Sequence, residues 1–137
     1  MKKAVILGCG RVGSLLASLL SESGWEVAVV DSNPESFAGL SEGFNGVQVN
    51  GRITDDDTLR LAGLESADVV VVLTSDDLSN LMAGQLALRR FGRQNVLVRV
   101  RDPIKAKAYQ ELGIQTICPT ELELDLVRRK LEVQPKR

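Results

Sequence analysis

Ala4-Val5-Ile6-Leu7-Gly8-Cys9-Gly10-Arg11-Val12-Gly13 is the stretch whose reading decides the fold. Four apolar residues run into a glycine-spaced turn. Beyond it, Val12 to Leu20 carries apolar residues at helical spacing. The order is strand, turn, helix. Such a turn brings the first backbone N–H groups of a helix, and the positive end of its dipole, to bear on a phosphate. Gly8 allows the tight turn, Gly10 lets a pyrophosphate approach the backbone, and Gly13 lets the helix pack close to the strand. Gly8, Cys9, Gly10, Arg11, Val12 and Gly13 are therefore candidate cofactor-binding residues. Arg11 stands at the mouth of the turn. A cation is mildly unfavourable at a helix start, which argues that its guanidinium meets phosphate oxygens.

A G-x-G-x-x-G spacing is weak evidence by itself, and its neighbours strengthen it. A second apolar strand, Val27-Ala28-Val29-Val30, follows about 20 residues later and ends in Asp31. An acid at that place is expected to take the ribose hydroxyls of an adenine nucleotide. Ser32 and Asn33 come next, with no Arg or Lys to meet a 2′-phosphate. The expected ligand is NAD(H) or an adenosine nucleotide (ATP, ADP or AMP) in preference to NADP.

Outward from this centre the pattern alternates strand and helix. Strands are expected at Lys3–Leu7, Glu26–Val30, Gly46–Val49, Asp68–Leu73, Asn95–Val100 and Gln115–Cys118. Helices are expected at Arg11–Ser23, from Asn33-Pro34, from a Thr54 cap, at Asp77–Phe91, from Asp102-Pro103 to Gly113, and from Pro119 to about Val133. The four valines 69–72 read as a central strand buried on both faces. Six strands alternating with helices predict a Rossmann-like, doubly wound parallel sheet of order 3-2-1-4-5-6. Residues 1–118 form the nucleotide-binding domain, and 119–137 an interface helix of the same domain.

Composition bounds the rest. The chain has 137 residues and a formal net charge of −1, with 44% apolar and 26% charged residues, enough for one well-cored domain. Its basic residues cluster only in short runs such as Lys136-Arg137, which give no nucleic-acid footprint. Lys2-Lys3 precedes an apolar run that stops at the glycine turn, so no signal peptide is read and a cytosolic setting is expected. Cys9 and Cys118 lie at the ends of strands three positions apart, about 14 Å at ordinary strand spacing, whereas a disulfide needs Cα atoms within about 7 Å. The chain has no histidine, so it lacks the commonest general base.

Further candidates lie along the chain. Thr74 and Ser75 follow the fourth strand, at the switch point beside the first strand where open α/β sheets bind ligands. Either their hydroxyls meet the cofactor, or Ser75 or Asp76 caps the next helix. Arg99, charged within a central strand, wants a partner or a ligand. Asp55-Asp56-Asp57 suits a helix start without any metal. The last helix carries two apolar stripes, Leu122, Leu126 and Val133 on one side and Leu124, Val127 and Leu131 nearly opposite. One stripe is expected to dock on the chain's own sheet and the other to seek a second surface.

The sequence resembles the RCK or KTN domain, the TrkA N-terminal type of cytosolic regulator of potassium channels and transporters. The resemblance runs through Ala4 to Gly13, Val30 to Pro34, Leu73 to Leu81 with its T-x-x-D-x-x-N signature, Val98 to Pro103, and Leu112 to Pro119. It departs at Gly51-Arg52-Ile53-Thr54, where the family often has G-D-A-T, so the acid that commonly contacts the nucleoside is Arg52 here. It departs again at Thr120, where some relatives place a metal-binding glutamate. No counterpart of the family's usual C-terminal ligand-binding subdomain lies in these 137 residues.

The resemblance implies a regulatory, non-catalytic domain that binds an adenine nucleotide. Domains would pair as homodimers through the last helix, and dimers would form a ring beneath a membrane potassium channel or transporter subunit. Such a chain is cytoplasmic and peripheral to the membrane through its partner. The competing readings are an NAD-dependent dehydrogenase fragment and the ligand domain of a glutathione-gated potassium–proton antiporter.

Overall fold

A computed structural model of the chain describes residues 1–135. The strands are β1 (Lys3–Leu7), β2 (Glu26–Asp31), β3 (Val47–Asn50), β4 (Val69–Val72), β5 (Val96–Arg99) and β6 (Gln115–Ile117). They form one sheet in the order β3-β2-β1-β4-β5-β6, every pair parallel. The α-helices are α1 (Arg11–Glu22), α2 (Asp56–Leu61), α3 (Asp77–Gln85), α4 (Pro103–Glu111) and α5 (Pro119–Lys130). This is the architecture expected from the alternating pattern.

Side-chain alternation divides the core between the two faces of the sheet. Val5 and Leu7 of β1 join Leu59 of α2, Leu81 of α3 and Ala106 of α4 on one face. Ala4 and Ile6 join Ala17 of α1 on the other, with Leu16, Leu20 and Phe37 packed against them. The central strands are buried on both sides, which is why they read as unbroken aliphatic runs.

The close approach of α1 to β1 rests on glycine. A Cβ on Gly13 would stand 2.0 Å from the Gly8 carbonyl oxygen. Gly8 itself has φ +112, and a Cβ there would meet the Leu73 backbone at 2.9 Å. A side chain at either position would force the neighbouring backbone to shift, and at Gly8 the positive φ adds strain.

Several local expectations are corrected. The segment opened by Asn33-Pro34 is a 3-10 turn, Pro34–Gly39, and not an α-helix. The Asn33 side chain does cap it, accepting from Glu35 N–H at 3.0 Å. Asp55, not Thr54, caps α2, accepting from Thr58 N–H at 3.2 Å and Thr58 Oγ1 at 2.7 Å. Asp56 pairs with Arg60 and Arg90. α3 gives way after Gln85 to a π turn, Leu86–Arg90, closed by Phe91 N–H donating to Leu86 O at 3.0 Å.

The last helix differs most. It ends at Lys130, not near Val133, because a Schellman motif stops it. Glu132 sits at φ 57, its N–H donating to Arg129 O and that of Val133 to Arg128 O. Neither apolar stripe docks on the sheet: Leu122 and Leu126 are 63% and 55% exposed, Leu124 and Leu131 65% and 68%. No residue of α5 is buried. The end of the expected 119–137 segment, Lys136-Arg137, lies outside the described residues.

Gly13→Ala is expected to lower unfolding free energy by about 1–3 kcal/mol, the usual range for overpacking, or to prevent folding. Urea titration followed by circular dichroism reads this. A variant as stable as the parent would show that α1 can retreat from β1 without cost.

Candidate functional site

The carboxyl ends of β1, β2, β4 and β5 open into a crevice of about 890 Å³. It lies where chain order reverses between β1 and β4, the ligand position of an open α/β sheet. Its floor is the glycine turn. Gly8 N–H donates to Val30 O and Ser14 N–H to Gly10 O, each at 2.8 Å, so the turn is tied both to β2 and to the helix it starts.

The N-terminus of α1 is open. Gly10 supplies no side-chain cap, and the first turn holds no acid. In contrast, α2, α3 and α4 begin on carboxylates that accept their own first-turn N–H groups: Asp55, Asp76 and Asp102. Gly10, Arg11 and Val12 line the crevice, with Arg11 exposed at its mouth. Unsatisfied N–H groups, a dipole end and a guanidinium thus converge on one place.

Two residues of the turn do not line the crevice. Gly13 is buried in α1. The Cys9 thiol is buried in the α1-side core; burial, and then the charge of Asp31, push its pKa up. Its part in the site is through its backbone. Cys9 N–H donates to Asp31 Oδ2 at 2.8 Å. Asn33 N–H donates to Asp31 Oδ1, also at 2.8 Å. Asp31 therefore staples the glycine turn to the end of β2, a task the sequence pattern did not reveal. Each oxygen keeps a second lone pair for a ribose hydroxyl.

Asp31 and Ser32 face the crevice as expected, and so does Arg52. The residues beside Asp31 in sequence include no cation. Tertiary structure supplies one, because β3 pairs with β2 in the register Asp31↔Asn50 and Arg52 follows two residues later. Thr74, Ser75 and Arg99 line the opposite wall. Asp76, not Ser75, caps α3, and the hydroxyl and N–H of Ser79 hold its carboxyl below the ordinary range.

Sequence reasoning missed Arg101 as a site residue, along with Ile53, Ser79 and Pro119, all of which line the crevice. The signal for Arg101 lay in Val98-Arg99-Val100-Arg101, where period two puts both arginines on one side. Arg99 is half-buried, donates to Thr74 O at 3.4 Å, and is pulled below its ordinary pKa by burial and then by the charge of Arg101. Among the described residues no carboxylate pairs with Arg11, Arg52, Arg99 or Arg101. Four unpaired guanidinium groups around one crevice, against the carboxylates of Asp31 and Asp76, suit an anion.

Fold and crevice together define a Rossmann-type domain. The family model described as the TrkA-N domain matches residues 4–119, and the chain belongs to the TrkA-N family. The Trk system potassium uptake protein TrkA of Streptomyces coelicolor is 45% identical over 127 residues, 93% of this chain and 57% of that protein. The chain thus spans little more than half of that relative. The NAD(P)-binding domain of an exopolyphosphatase-related protein from Archaeoglobus fulgidus superposes with a TM-score of 0.74 at 27% identity, over 96% of this chain and 98% of that one. The Kef CTD of Shewanella denitrificans, in its AMP-bound form, shares the fold with a TM-score of 0.77 at 23% identity, over 96% of this chain and 80% of that one. No helix among the described residues is long and apolar enough to cross a membrane.

Gly10 allows a clean test of the crevice. It has ordinary backbone angles, φ −78 and ψ −159, and a Cβ there meets no heavy atom within 4 Å. Gly10→Val is expected to fold normally while losing nucleotide affinity by at least about 100-fold, or about 2.7 kcal/mol, because its side chain fills the phosphate position. Calorimetric titration reads the affinity and circular dichroism the fold. Unchanged binding would put the phosphate elsewhere.

Proposed function

We propose that this chain is the nucleotide-sensing, non-catalytic regulatory part of a potassium uptake or channel system. The observation that carries the reading is the uncapped start of α1, which faces unpaired arginines across one crevice in a chain of the TrkA-N family. The name of the Streptomyces relative supports potassium uptake as the process. The nucleotide-binding description of the Archaeoglobus domain supports the ligand class.

The ligand is an adenine nucleotide, NAD(H) or ATP, ADP or AMP. Its phosphates lie on the α1 start and Arg11, and its ribose beside Asp31 and Ser32. Ile53 offers an apolar wall to the base, with Arg52 at the rim. Phosphates beyond the first reach toward Thr74, Ser75, Arg99 and Arg101. The physical mechanism is linkage: a nucleotide that binds one arrangement of the assembly better than another shifts the population toward it and biases the membrane partner. The protein works in the cytoplasm, held at the membrane by that partner.

A thermal-shift panel of NADH, NAD, NADPH, ATP, ADP and AMP tests the reading. A ligand at 100 times its Kd stabilises the folded state by about 2.7 kcal/mol. At least one adenine nucleotide is expected to raise Tm, with NADH ahead of NADPH by about tenfold in affinity because Asp31 repels a 2′-phosphate. No shift with any member would overturn the nucleotide reading. Equal affinity for NADH and NADPH would assign the ribose face to Arg52 instead of Asp31.

The exposed stripes of α5 support self-association as a homodimer, the unit from which a ring is built. The pairs Leu122→Asp with Leu126→Asp, and Leu124→Asp with Leu131→Asp, separate the two sides of the helix. Since neither side is buried within the chain, both variants are expected to keep the monomer's stability within about 0.5 kcal/mol. At least one should sediment as a smaller species than the parent. A parent already monomeric at high micromolar concentration would overturn the dimer reading for this chain.

A further inference from the structure

The side chains of Asp77 and Asn80 lie in the first turn of α3 and bond to segments that carry the crevice, not to their own helix. Asn80 is fully buried, with 0% of its surface exposed. Its Nδ2 donates to Thr74 O at 2.9 Å and to Arg99 O at 3.0 Å. Its Oδ1 accepts from Thr74 N–H at 3.2 Å and from the Thr74 hydroxyl. Every hydrogen-bonding atom of the amide is thereby used, and one side chain joins the end of β4 to the end of β5. Asp77 completes the frame. Its Oδ1 accepts from Arg101 N–H at 2.8 Å and its Oδ2 from Asp102 N–H at 3.2 Å.

We infer that Asp77 and Asn80 are positioning residues that hold the Arg99–Arg101 segment, and through it two guanidinium groups, in register for the outer phosphates of a bound nucleotide. The inference rests on the nucleotide reading of the crevice. Neither side chain touches the ligand; Asp77 and Asn80 do not line the crevice, whereas Thr74, Arg99 and Arg101 do.

Three physical points support this. An apolar side chain would fill the core at position 80 without the demand of four hydrogen bonds, and a buried amide is costly unless every one is made. Asn80 therefore specifies a geometry and does not merely occupy space. Next, Arg99 and Arg101 repel each other and have no carboxylate partner among the described residues. Nothing acidic holds their side chains; apart from the Arg99 bond to Thr74 O at 3.4 Å, their placement depends on the backbone beneath them. That backbone is pinned from α3 at Arg99 O, Arg101 N and Asp102 N. Finally, the far side of the same segment is tied to β6 and the start of α5, with Val100 N–H donating to Ile117 O at 2.9 Å and the Cys118 thiol to Arg101 O at 3.5 Å. The segment is clamped from both sides, as a preorganised anion site requires.

The test is calorimetric titration of the chain with ATP and with AMP at one salt concentration, for the parent, Asp77→Asn, Arg101→Ala and the double variant. Asp77→Asn is half-buried at a helix start and keeps one acceptor; Asp77→Ser replaces it in the cycle if it does not fold. Asp57→Asn, an exposed first-turn acid of α2 outside the crevice, controls for loss of charge. Asp77→Asn is expected to weaken ATP by about tenfold and AMP by less than about threefold, with Tm without ligand within about 3 °C of the parent. In the Arg101→Ala background the same change is expected to cost ATP less than about threefold, the non-additivity of residues that act through one another. Equal losses for ATP and AMP, full additivity with Arg101→Ala, or no loss at all would each overturn the inference while leaving nucleotide binding in place. A parent chain that binds neither nucleotide would overturn both.

Discussion

The contact on which the rest depends is the approach of the Gly13 backbone to the Gly8 carbonyl, so close that a Cβ would lie 2.0 Å from that oxygen. It brings α1 onto β1 at the centre of the sheet. From there β2 pairs on one side and β4 on the other, and chain order reverses between them. The same contact aims the first N–H groups of α1 at the crevice. One short turn thus sets both the packing of α1 and the floor of the crevice.

Around that contact the site is held by polar side chains that bridge strand ends. Asp31 links the glycine turn to the end of β2, and Asn80 links β4 to β5. Asp31 does so by accepting from backbone N–H groups, and Asn80 by donating from its amide to the carbonyl oxygens of Thr74 and Arg99. The strands alone would leave their carboxyl ends as independent loops. These bridges convert the loops into a single rim, and the unpaired arginines stand on it. Of these arginines Arg99 is half-buried and the others are exposed, and none has a carboxylate partner among the described residues.

α5 lies outside this economy of contacts. It starts at the crevice, where Pro119 is a lining residue, and carries its apolar stripes away from the sheet. Its end is set by local backbone hydrogen bonding around Glu132 and not by any docking surface. Exposed apolar area on this scale is the kind of surface that marks an interaction site.

The sequence by itself determined the sheet order, the position of the glycine turn and most of the crevice wall, because those depend on local periodicity and on glycine sterics. The alternation of apolar runs is local, and parallel crossovers leave few topologies open. Only the tertiary structure decided how the side chains are used. Asp31 reads as a ribose ligand in sequence, but its bond to Cys9 appears only when β1 and β2 lie side by side. Arg52, already pointed to by the family resemblance, reaches the site because β3 pairs with β2, and Arg101, which sequence reasoning missed, because it continues beyond β5 along the same edge. The cap of α2 fell to Asp55 over Thr54, a one-residue choice set by which side chain reaches Thr58. Whether a stripe of α5 docks depends on the space left beside β6, which no periodicity encodes. Periodicity reports which residues share a face; it carries no information on what that face meets.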